Sequence, residues 1–425
     1  MRYRREAGRD WQADAFMTDS VLLYVQHLLG IGHLRRSLRI VEALVREGIR
    51  VTLISGGEPF SSLACTSAER VIQLPPIRAL DAGFKVLVDE MGRPIDDELR
   101  TARRSALVDA FEDEQPDALL IEAFPFGRRA FRFELDALIE AARARCPRPL
   151  VLCSLRDIVV LPNDPRRPKE IVDRVRNDFD FVLVHGDPAF IPLEASFPLA
   201  SEIGDKLIYT GYIAEVHETG DAAASDETGG ADEVVVSVGG GAVGGALLRT
   251  AIETRRQGCL ANLRWRLLSG PNLPEPEFAA LAAGLPAGIV LERYRPDFPQ
   301  MLRRCRVSVS QAGYNTVLDI LAARAAAVVV PFASARETEQ SLRAERLAAR
   351  GVLELLPENR LSRERLASAI DRAISASPAK IAIDSGGARR SARLIAGMIR
   401  SPDREFGVAR DYRYDPLTAG LLPGR

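Results

Sequence analysis

The chain has 425 residues, and its 57 lysine and arginine residues nearly balance its 58 aspartate and glutamate residues, for a formal net charge of −1. This balance gives no reason to expect a nucleic-acid partner, and the length is enough to bury at least two sizeable cores. Hydrophobic residues make up 47% of the chain, but charges interrupt them throughout, and no apolar run approaches the roughly 20 residues of a membrane span. The five cysteines lack CxxC spacing, which indicates reduced thiols and predicts a cytoplasmic protein.

The first residues, MRYRREAGRDWQADAF, are polar and lack the apolar centre of a signal peptide. Met17 precedes Thr-Asp-Ser and a strand pattern, so it is a candidate start of translation. We therefore predict that residues 1–17 form a disordered tail.

After this tail, short apolar runs alternate with longer helical patterns, which is typical of parallel sheets with crossover helices. The runs are almost continuously apolar, as expected for strands covered on both faces, and in the first half they lie at 21–25, 51–55, 118–122, 150–154 and 181–185. Between the first two runs, Leu34, Leu38, Val41 and Val45 recur near the helical period. They predict an amphipathic helix that ends at Gly48.

Residues 215–233 are small, acidic and turn-rich, which predicts a linker. The alternation then restarts, with a last helix near 385–400 and with strands predicted at 234–238, 264–269, 288–292, 307–310 and 327–331. The predicted fold class is α/β, with two doubly wound, Rossmann-like domains that face each other across a cleft. The predicted boundaries are 18–214 and 234–400, followed by a tail at 401–425. Ligands of such sheets bind beyond the carboxyl ends of the strands, so the cleft is the expected site.

The first glycine turn contains Gly30 and Gly32 and lies between the first predicted strand and helix. Glycine allows a ligand to approach the backbone, and the helix N-terminus favours negative charge. The dinucleotide fingerprint is incomplete, because Arg35 takes the third glycine position and no acidic residue ends the second strand. We therefore do not expect NAD.

The second glycine turn, SVGGGAVGGALL, contains Gly239, Gly240 and Gly241 and also follows a strand. It lacks the Lys-Ser/Thr pair of a P-loop, so it is not the signature of an NTPase. Two interpretations remain: a cradle for phosphate groups, and a tight turn that allows close packing.

His33 begins the helix that follows the first glycine turn. A single histidine is often an ordinary surface or core residue. Beside a glycine turn, however, a neutral imidazole can take a proton from a hydroxyl group near pH 7, and a helix N-terminus lowers its pKa. His33 is therefore the candidate general base.

Acidic and amide residues follow two successive strands near the end of the second half: Asp319 after one, and Glu339 and Gln340 after the next. Each acid has a structural alternative. Thr316-x-x-Asp319 resembles a capping box, and Glu339 lies near the start of its own helix, where an acid favours the dipole. The two turns together favour a polyhydroxylated ligand, such as a ribose and a hexose.

The Gly30-x-Gly32-His33 motif, the Gly239–Gly241 loop and residues 293–322 and 328–351 together resemble the GT-B glycosyltransferases of family 28. This family includes the peptidoglycan N-acetylglucosaminyltransferase and the diacylglycerol glycosyltransferases. The resemblance covers about residues 20–400. It implies a C-terminal domain that binds a nucleotide-sugar, usually a UDP-sugar, as co-substrate, with no protein-bound metal and no other cofactor.

The resemblance also implies roles for individual residues. The diphosphate is cradled by Gly239, Gly240 and Gly241, with Gly313 in a nearby turn, and the base is contacted by Tyr294 and Arg295. Asp319 holds the ribose, although the family more often has glutamate there, while Glu339 and Gln340 recognise the hexose. His33 acts on the acceptor. By the same resemblance, the tail crosses back to the N-terminal domain.

Two further segments end predicted strands of the first half. Glu122 and Arg128 lie in EAFPFGRRAFRFEL, residues 122–135, which has no counterpart in the peptidoglycan enzyme. They face the acceptor in one interpretation, and belong to a rigid Pro-containing turn with solvated arginines in the other. Asp157, in SLRDIV, carries the same two interpretations. The only Asp-x-Asp, Asp178–Asp180, is interpreted as a solvated turn.

The sequence leaves three functions open. The first is an inverting hexosyltransferase that uses a UDP-sugar donor and an unidentified acceptor. The second is hydrolysis or C2 epimerisation of a UDP-sugar on the same fold, and the third is non-catalytic binding of a nucleotide-sugar. No strongly basic amphipathic helix is evident, which gives little support for membrane docking and leaves peripheral membrane contact open.

Overall fold

The computed structural model describes residues 19–28, 32–60, 63, 66–80, 86–161, 164–214, 229–239, 244–255, 260–332, 338–376 and 384–401. Several predictions from the sequence therefore concern residues outside the described ranges. These are the tail at 1–17, Gly30, Gly240, Gly241, residues 215–228 of the linker and residues 402–425.

The described residues before 215 form the N-terminal half. Its strands are β1 (Ser20–Val25), β2 (Arg50–Ser55), β3 (Arg70–Gln73), β4 (Arg78–Ala79), β5 (Leu87–Val88), β6 (Ala118–Glu122), β7 (Leu150–Arg156), β8 (Phe181–His185) and β9 (Leu207–Tyr209). Its helices are α1 (Gly32–Arg46), α2 (Asp97–Glu114), α3 (Arg132–Ala144) and α4 (Arg167–Asp178). The strands make a parallel sheet in the order β3-β2-β1-β6-β7-β8-β9, and β4 and β5 form a separate antiparallel pair.

The described residues from 229 to 376 form the C-terminal half. Its strands are β10 (Val234–Ser237), β11 (Trp265–Leu268), β12 (Ile289–Glu292), β13 (Val307–Ser310), β14 (Ala327–Val329) and β15 (Glu354–Leu355). Its helices are α5 (Gly245–Thr254), α6 (Glu275–Ala282), α7 (Phe298–Arg304), α8 (Tyr314–Ala323), α9 (Glu339–Ala348) and α10 (Arg363–Ser375), and α11 (Gly387–Arg400) follows. The sheet is parallel, in the order β12-β11-β10-β13-β14-β15.

The strand order reverses at one point in each sheet. In the first sheet this point lies between β1 and β6, and in the second it lies between β10 and β13. In open α/β sheets, ligands bind at such switch points, beyond the carboxyl ends of the strands. The polypeptide that follows β1, β6, β10 and β13 is therefore where a ligand is expected.

The strands are apolar without interruption because both faces of each sheet are covered. In β1, Leu22 and Tyr24 enter one core cluster, while Val21, Leu23 and Val25 enter another. Successive side chains of a strand point to opposite faces, so a strand between two cores has no solvated face. None of the helices in the described part of the chain is long and apolar enough to cross a membrane.

The predicted fold class is confirmed. Each of the ten predicted strands and the helix after the first strand corresponds to an element of the structure. The sequence analysis missed β3, β9 and β15, as well as the pair of β4 and β5. The first three lie at sheet edges, where burial on one side is lost and the continuous apolar pattern is weak; in β3, Arg70 and Val71 are exposed.

The last helix packs on the N-terminal half. The sequence analysis assigns α11 to the C-terminal domain, whereas the structure places it beside α1. The chain crosses through two backbone hydrogen bonds, from Tyr212 N to Asp384 O at 2.7 Å and from Gly387 N to Tyr212 O at 3.0 Å. The helix then adds apolar side chains to a core of the first half: Ala392, Leu394, Ile395, Ala396 and Met398.

The end of the predicted linker is packed against the C-terminal half. Glu233 is buried and receives hydrogen bonds from Arg266 at 2.8 and 3.1 Å. Gly230 has a φ of +86°, and a Cβ there would lie 2.7 Å from the backbone of Met301. Residues 229–233 are therefore a fixed part of this half.

Candidate active site

His33 and Glu122 meet at the switch point of the first sheet. His33 lies in the first turn of α1, and Glu122 is the last residue of β6. The distance between His33 Nδ1 and Glu122 Oε1 is 2.5 Å. The Glu122 side chain is fully buried, while that of His33 is 24% exposed. The structure thus brings together two residues that the sequence analysis proposed separately.

Glu122 is held in its ionised form. Burial alone raises the pKa of this carboxyl group, but its contacts with His33, Arg128 and Arg36 outweigh that effect and hold the pKa well below its usual range. An ionised carboxylate can only accept hydrogen bonds. The proton in its contact with His33 must therefore lie on Nδ1, which leaves Nε2 unprotonated.

The imidazole is neutral at physiological pH. Burial lowers the pKa of His33 to about 4; the charge of Glu122 opposes this effect, while those of Arg128 and Arg36 add to it. A neutral ring with its proton on Nδ1 can accept a proton on Nε2. The geometry and protonation of this pair are those of a general base with an orienting carboxylate.

Two arginines complete the surroundings of Glu122. Arg36 Nη2 donates to Glu122 Oε1 at 2.6 Å, and Arg128 Nη2 donates to Oε2 at 3.4 Å. Arg128 has a left-handed backbone with a φ of 58°. The Arg36 guanidinium also lies 5.8 Å from the ring centre of Tyr314 in the other half, so the base and its carboxylate are linked to the C-terminal half.

Glycine turns from both halves converge on the first turn of α8. An ideal Cβ on Gly239 or Gly313 would have Thr316 Oγ1 as its nearest neighbour, at 4.0 and 3.9 Å. A Cβ on Gly32 would lie 3.6 Å from Asn315 Nδ2. Gly32 and Asn315 belong to the first turns of α1 and α8, so the N-termini of these two helices are close together. Free N–H groups and two helix dipoles make this region suited to an anion such as a diphosphate.

The capping-box alternative for Asp319 is wrong. Helix α8 begins at Tyr314 with Gly313 as its N-cap, and no side chain caps it. Thr316 therefore lies inside the helix, and Asp319 lies in the second turn, half-buried. The alternative for Glu339 fits better, because Glu339 is the first residue of α9.

Tyr294 and Arg295, predicted to contact the base, have different surroundings. The Tyr294 side chain is 55% exposed, and the guanidinium of Arg35, from the first half, lies 5.8 Å from its ring centre. Arg295 makes two hydrogen bonds of 2.8 Å to the carboxylate of Asp297. Tyr294 is thus an exposed aromatic side chain beside an arginine of the first half, while Arg295 is held in an ion pair.

Glu339 is held by arginines from both halves. Its Oε1 receives a hydrogen bond of 2.8 Å from Arg343 Nη2, and its Oε2 lies 2.6 Å from Arg156 Nη1 in the first half. The neighbouring Gln340 uses its Oε1 to accept hydrogen bonds from the backbone N–H groups of Ala312 and Phe332, at 3.0 and 3.1 Å. The amide oxygen of Gln340 therefore joins two strand-end turns.

Asp157 faces the other half of the molecule. It is fully buried, and its Oδ1 receives a hydrogen bond of 3.0 Å from Arg343 Nη2. The hydroxyl group of Tyr314 also bridges the halves, because it donates to the carbonyl oxygen of His185 at 3.1 Å. Of the predicted acceptor-side residues, the structure therefore groups Glu122 and Arg128 around His33, and it pairs Asp157 with α9.

The sequence analysis missed four residues that shape this site: Arg36, Arg156, Tyr314 and Arg343. Two of them had a local signal. Arg36 follows His33 by three positions and Arg343 follows Glu339 by four, so each lies on the same helix face as its neighbour. Arg156 and Tyr314 depend on contacts between the halves and had none. In the described part of the chain, no group of three or more His, Cys, Asp and Glu side chains is arranged to hold a metal ion.

Comparison with known proteins relates the second half to one family. Residues 235–395 match the profile of the glycosyltransferase family 28 C-terminal domain. An uncharacterized glycosyltransferase of Methanopyrus kandleri is 29% identical over 167 residues, which is 39% of this chain and 45% of that protein. A UDP-N-acetylglucosamine–N-acetylmuramyl-(pentapeptide) pyrophosphoryl-undecaprenol N-acetylglucosamine transferase of Rhodospirillum centenum is 26% identical over 28% of this chain and 32% of the relative. The matches thus span less than half of these relatives.

Solved structures share the fold over most of the chain. MurG of Acinetobacter baumannii superposes with a TM-score of 0.57 at 16% identity, over 89% of this chain and 99% of that one. A putative UDP-N-acetylglucosamine 2-epimerase of Listeria monocytogenes superposes with a TM-score of 0.61 at 12% identity, over 92% and 98%. At these identities the likeness concerns the fold, which is the GT-B arrangement of two Rossmann-like halves.

Proposed function

Since the chain has the GT-B fold and its second half is a family 28 glycosyltransferase domain, we propose that it transfers a hexose from a nucleotide-sugar to a hydroxyl group of an acceptor, with inversion at C1. The observation that carries this proposal is the position of the pair of His33 and Glu122. The pair lies at the start of α1, whose Gly32 is next to Asn315 in the first turn of α8, so it is close to the glycine turns that are proposed to bind a diphosphate.

In this proposal, the acceptor hydroxyl group gives its proton to His33 Nε2 while its oxygen attacks C1 of the sugar. The bond between C1 and the diphosphate oxygen breaks, and the nucleoside diphosphate leaves with the electron pair. Glu122 remains ionised and stabilises the imidazolium that forms, through the proton on Nδ1. A base that is oriented by a second group in this way contributes roughly 10²–10⁴-fold in rate.

The leaving group gains negative charge, and the structure supports a site that stabilises it. The N-termini of α1 and α8 are close together at the glycine turns, and Arg36 lies on α1 of the first half. Fixed donors and dipoles of this kind favour the charge that develops in the transition state. No step of the proposal uses a metal ion.

The proposed donor is a UDP-sugar that the C-terminal half holds. Three observations support a nucleotide there: the exposed ring of Tyr294 for the base, Asp319 in the second turn of α8 for the ribose, and the glycine turns at Gly239 and Gly313 for the diphosphate. The name of the Rhodospirillum centenum relative includes UDP-N-acetylglucosamine. Glu339 and the amide nitrogen of Gln340 would then recognise the hexose.

A second candidate function uses the same fold. The putative 2-epimerase of Listeria monocytogenes has the higher TM-score of the two solved structures, so C2 epimerisation or hydrolysis of a UDP-sugar is the alternative. An epimerase changes the configuration of the sugar and a hydrolase releases UDP, and neither reaction requires an acceptor.

A binding screen tests the nucleotide-sugar proposal before any acceptor is known. Calorimetry or thermal shift with UDP, TDP, GDP and ADP, each alone and linked to a hexose, should show binding and stabilisation by the uridine compounds. Stabilisation by the compounds of another nucleotide would indicate that the donor carries that nucleotide and not UDP. Absence of binding by all of them would overturn it.

A further inference from the structure

Four charged residues form a ring across the two halves that consists of three ion pairs and one backbone link. Arg156 of the first half contacts Glu339 of the second at 2.6 Å, Glu339 contacts Arg343 at 2.8 Å, and Arg343 contacts Asp157 at 3.0 Å. The backbone closes the ring, because Asp157 directly follows Arg156 in the chain. The signs alternate, so the ring is neutral.

The ring places one corner in contact with solvent. The side chains of Asp157, Arg343 and Glu339 are 0%, 3% and 7% exposed, whereas that of Arg156 is 26% exposed. Desolvated charges of this kind need their partners, because an uncompensated charge in the interior is costly. Arg156 is therefore the corner at which the ring can be altered without leaving a buried, unpaired arginine.

The contacts of Glu339 fix the orientation of its carboxylate. One oxygen is bound by Arg343 on the same helix, and the other by Arg156 on the opposite half. A carboxylate oxygen can accept two hydrogen bonds, so a contact with an arginine does not by itself exclude a contact with a ligand hydroxyl group. Loss of Arg156 would remove the contact that holds Oε2 from the opposite half and would loosen the orientation of the carboxylate.

We propose that Arg156 is a positioning residue that determines which hexose the protein selects, because it orients Glu339 from the opposite half. This inference rests on the proposed function, in which Glu339 recognises hydroxyl groups of the donor sugar. Its consequence is that selection of the sugar depends on both halves, since the contact between Arg156 and Glu339 exists only when they are together. The nucleotide itself is bound without Arg156.

The test compares the affinities of UDP, UDP-N-acetylglucosamine and its C4 epimer, UDP-N-acetylgalactosamine, by calorimetry. In Arg156→Gln, the ratio of the affinities for the two epimers is expected to fall about tenfold, as for loss of one charge-assisted hydrogen bond. The affinity for UDP should remain that of the wild type. Arg156→Lys keeps the charge and should restore most of the ratio.

Two further variants separate orientation from a general effect on structure. Arg148→Gln removes an arginine just before β7, where it pairs with Asp180 at 3.1 Å, and should leave the ratio unchanged. When Arg156→Gln is added to Glu339→Gln, the ratio of the affinities for the two epimers should fall no further. The reason is that substitutions of residues that act through one another do not have additive effects.

The possible results are distinguishable. Equal ratios in the wild type and Arg156→Gln, or additive effects of the two substitutions, would overturn the role of Arg156 and leave the proposed function standing. If the wild type binds neither UDP nor any UDP-sugar, the proposed function itself fails.

Discussion

His33 Nδ1 and Glu122 Oε1 lie 2.5 Å apart although the two residues are separated by 89 positions in the chain. The contact arises because β1 and β6 are neighbours in the sheet, so that the helix after one strand meets the end of the other. It gives the proposed base a fixed tautomer, and it makes the pH dependence of the protein a test of the site.

The first prediction concerns the acid limb of the pH profile. The pKa of His33 is lowered from its ordinary value to about 4, so the ring stays neutral, and able to accept a proton, down to pH values close to that pKa. We expect that titration of His33 does not change kcat/KM between pH 6 and 8. Protonation of His33 should lower kcat/KM only as the pH decreases through about 4. An acid limb centred near the ordinary histidine value, about 6.5, would show that burial does not control this group.

The second prediction concerns Glu122. Glu122→Gln removes the carboxylate that is buried with Arg36 and Arg128, and breaking a buried ion pair costs about 3–5 kcal/mol. The melting temperature should fall and turnover should decrease, because the His33 tautomer is no longer fixed. The matched control is Glu42→Gln on the exposed face of α1, where Glu42 pairs with Arg46 at 2.8 Å and exposed pairs contribute about 0–1 kcal/mol. Equal stability of the two variants would contradict the buried network.

How far the sequence predicts this site depends on the range of the contacts. Gly32 and His33 lie between the first strand and the first helix, so a local pattern was enough to propose them, whereas Gly313 was implied by the family resemblance. The pairing of His33 with Glu122 needed the strand order, which the sequence alone does not reveal. The contact of Arg156 with Glu339 needed the relative position of the two halves, whereas Arg343 follows Glu339 by four positions and had a local signal.

The secondary-structure elements, too, could be predicted only where the sequence carries a local signal. Strands covered on both faces, such as β1 and β6, are continuous apolar runs and were predicted from the sequence. The edge strand β3 reads Arg-Val-Ile-Gln and has exposed side chains, so it lacks that signal. The amphipathic pattern of α11 predicted a helix but could not show which half it covers, because an apolar face fits any core of suitable shape.

The third prediction concerns the ribose. Asp319→Ala should lower the affinity for UDP by about 1.5–3 kcal/mol, the value of a hydrogen bond to a charged group. Calorimetry with UDP measures this effect directly. No side chain caps α8, so the substitution does not remove a helix cap, and the melting temperature checks that the variant is folded. Unaltered UDP affinity in the folded variant would remove Asp319 from the proposed nucleotide site.

The fourth prediction concerns the two halves. Contacts such as that between Tyr314 and His185 hold them together in the structure, and a bound UDP-sugar would add further contacts across the site. Closure that excludes water is what a transferase needs to avoid hydrolysis of its donor. Small-angle scattering should therefore show a smaller radius of gyration with a UDP-sugar than without it. An unchanged radius would count against closure on the donor.

The fifth prediction tests the central claim, which is that the protein transfers a sugar to an acceptor with His33 as the general base. Proton NMR can follow a UDP-hexose with and without a panel of hydroxyl acceptors, for the wild type and for His33→Ala. We predict UDP release that depends on an acceptor, a glycoside product with inverted anomeric configuration, and loss of about 10²–10⁴-fold in rate in His33→Ala with UDP affinity retained. Release of UDP at the same rate without an acceptor, or formation of a C2-epimerised UDP-sugar, would contradict transfer.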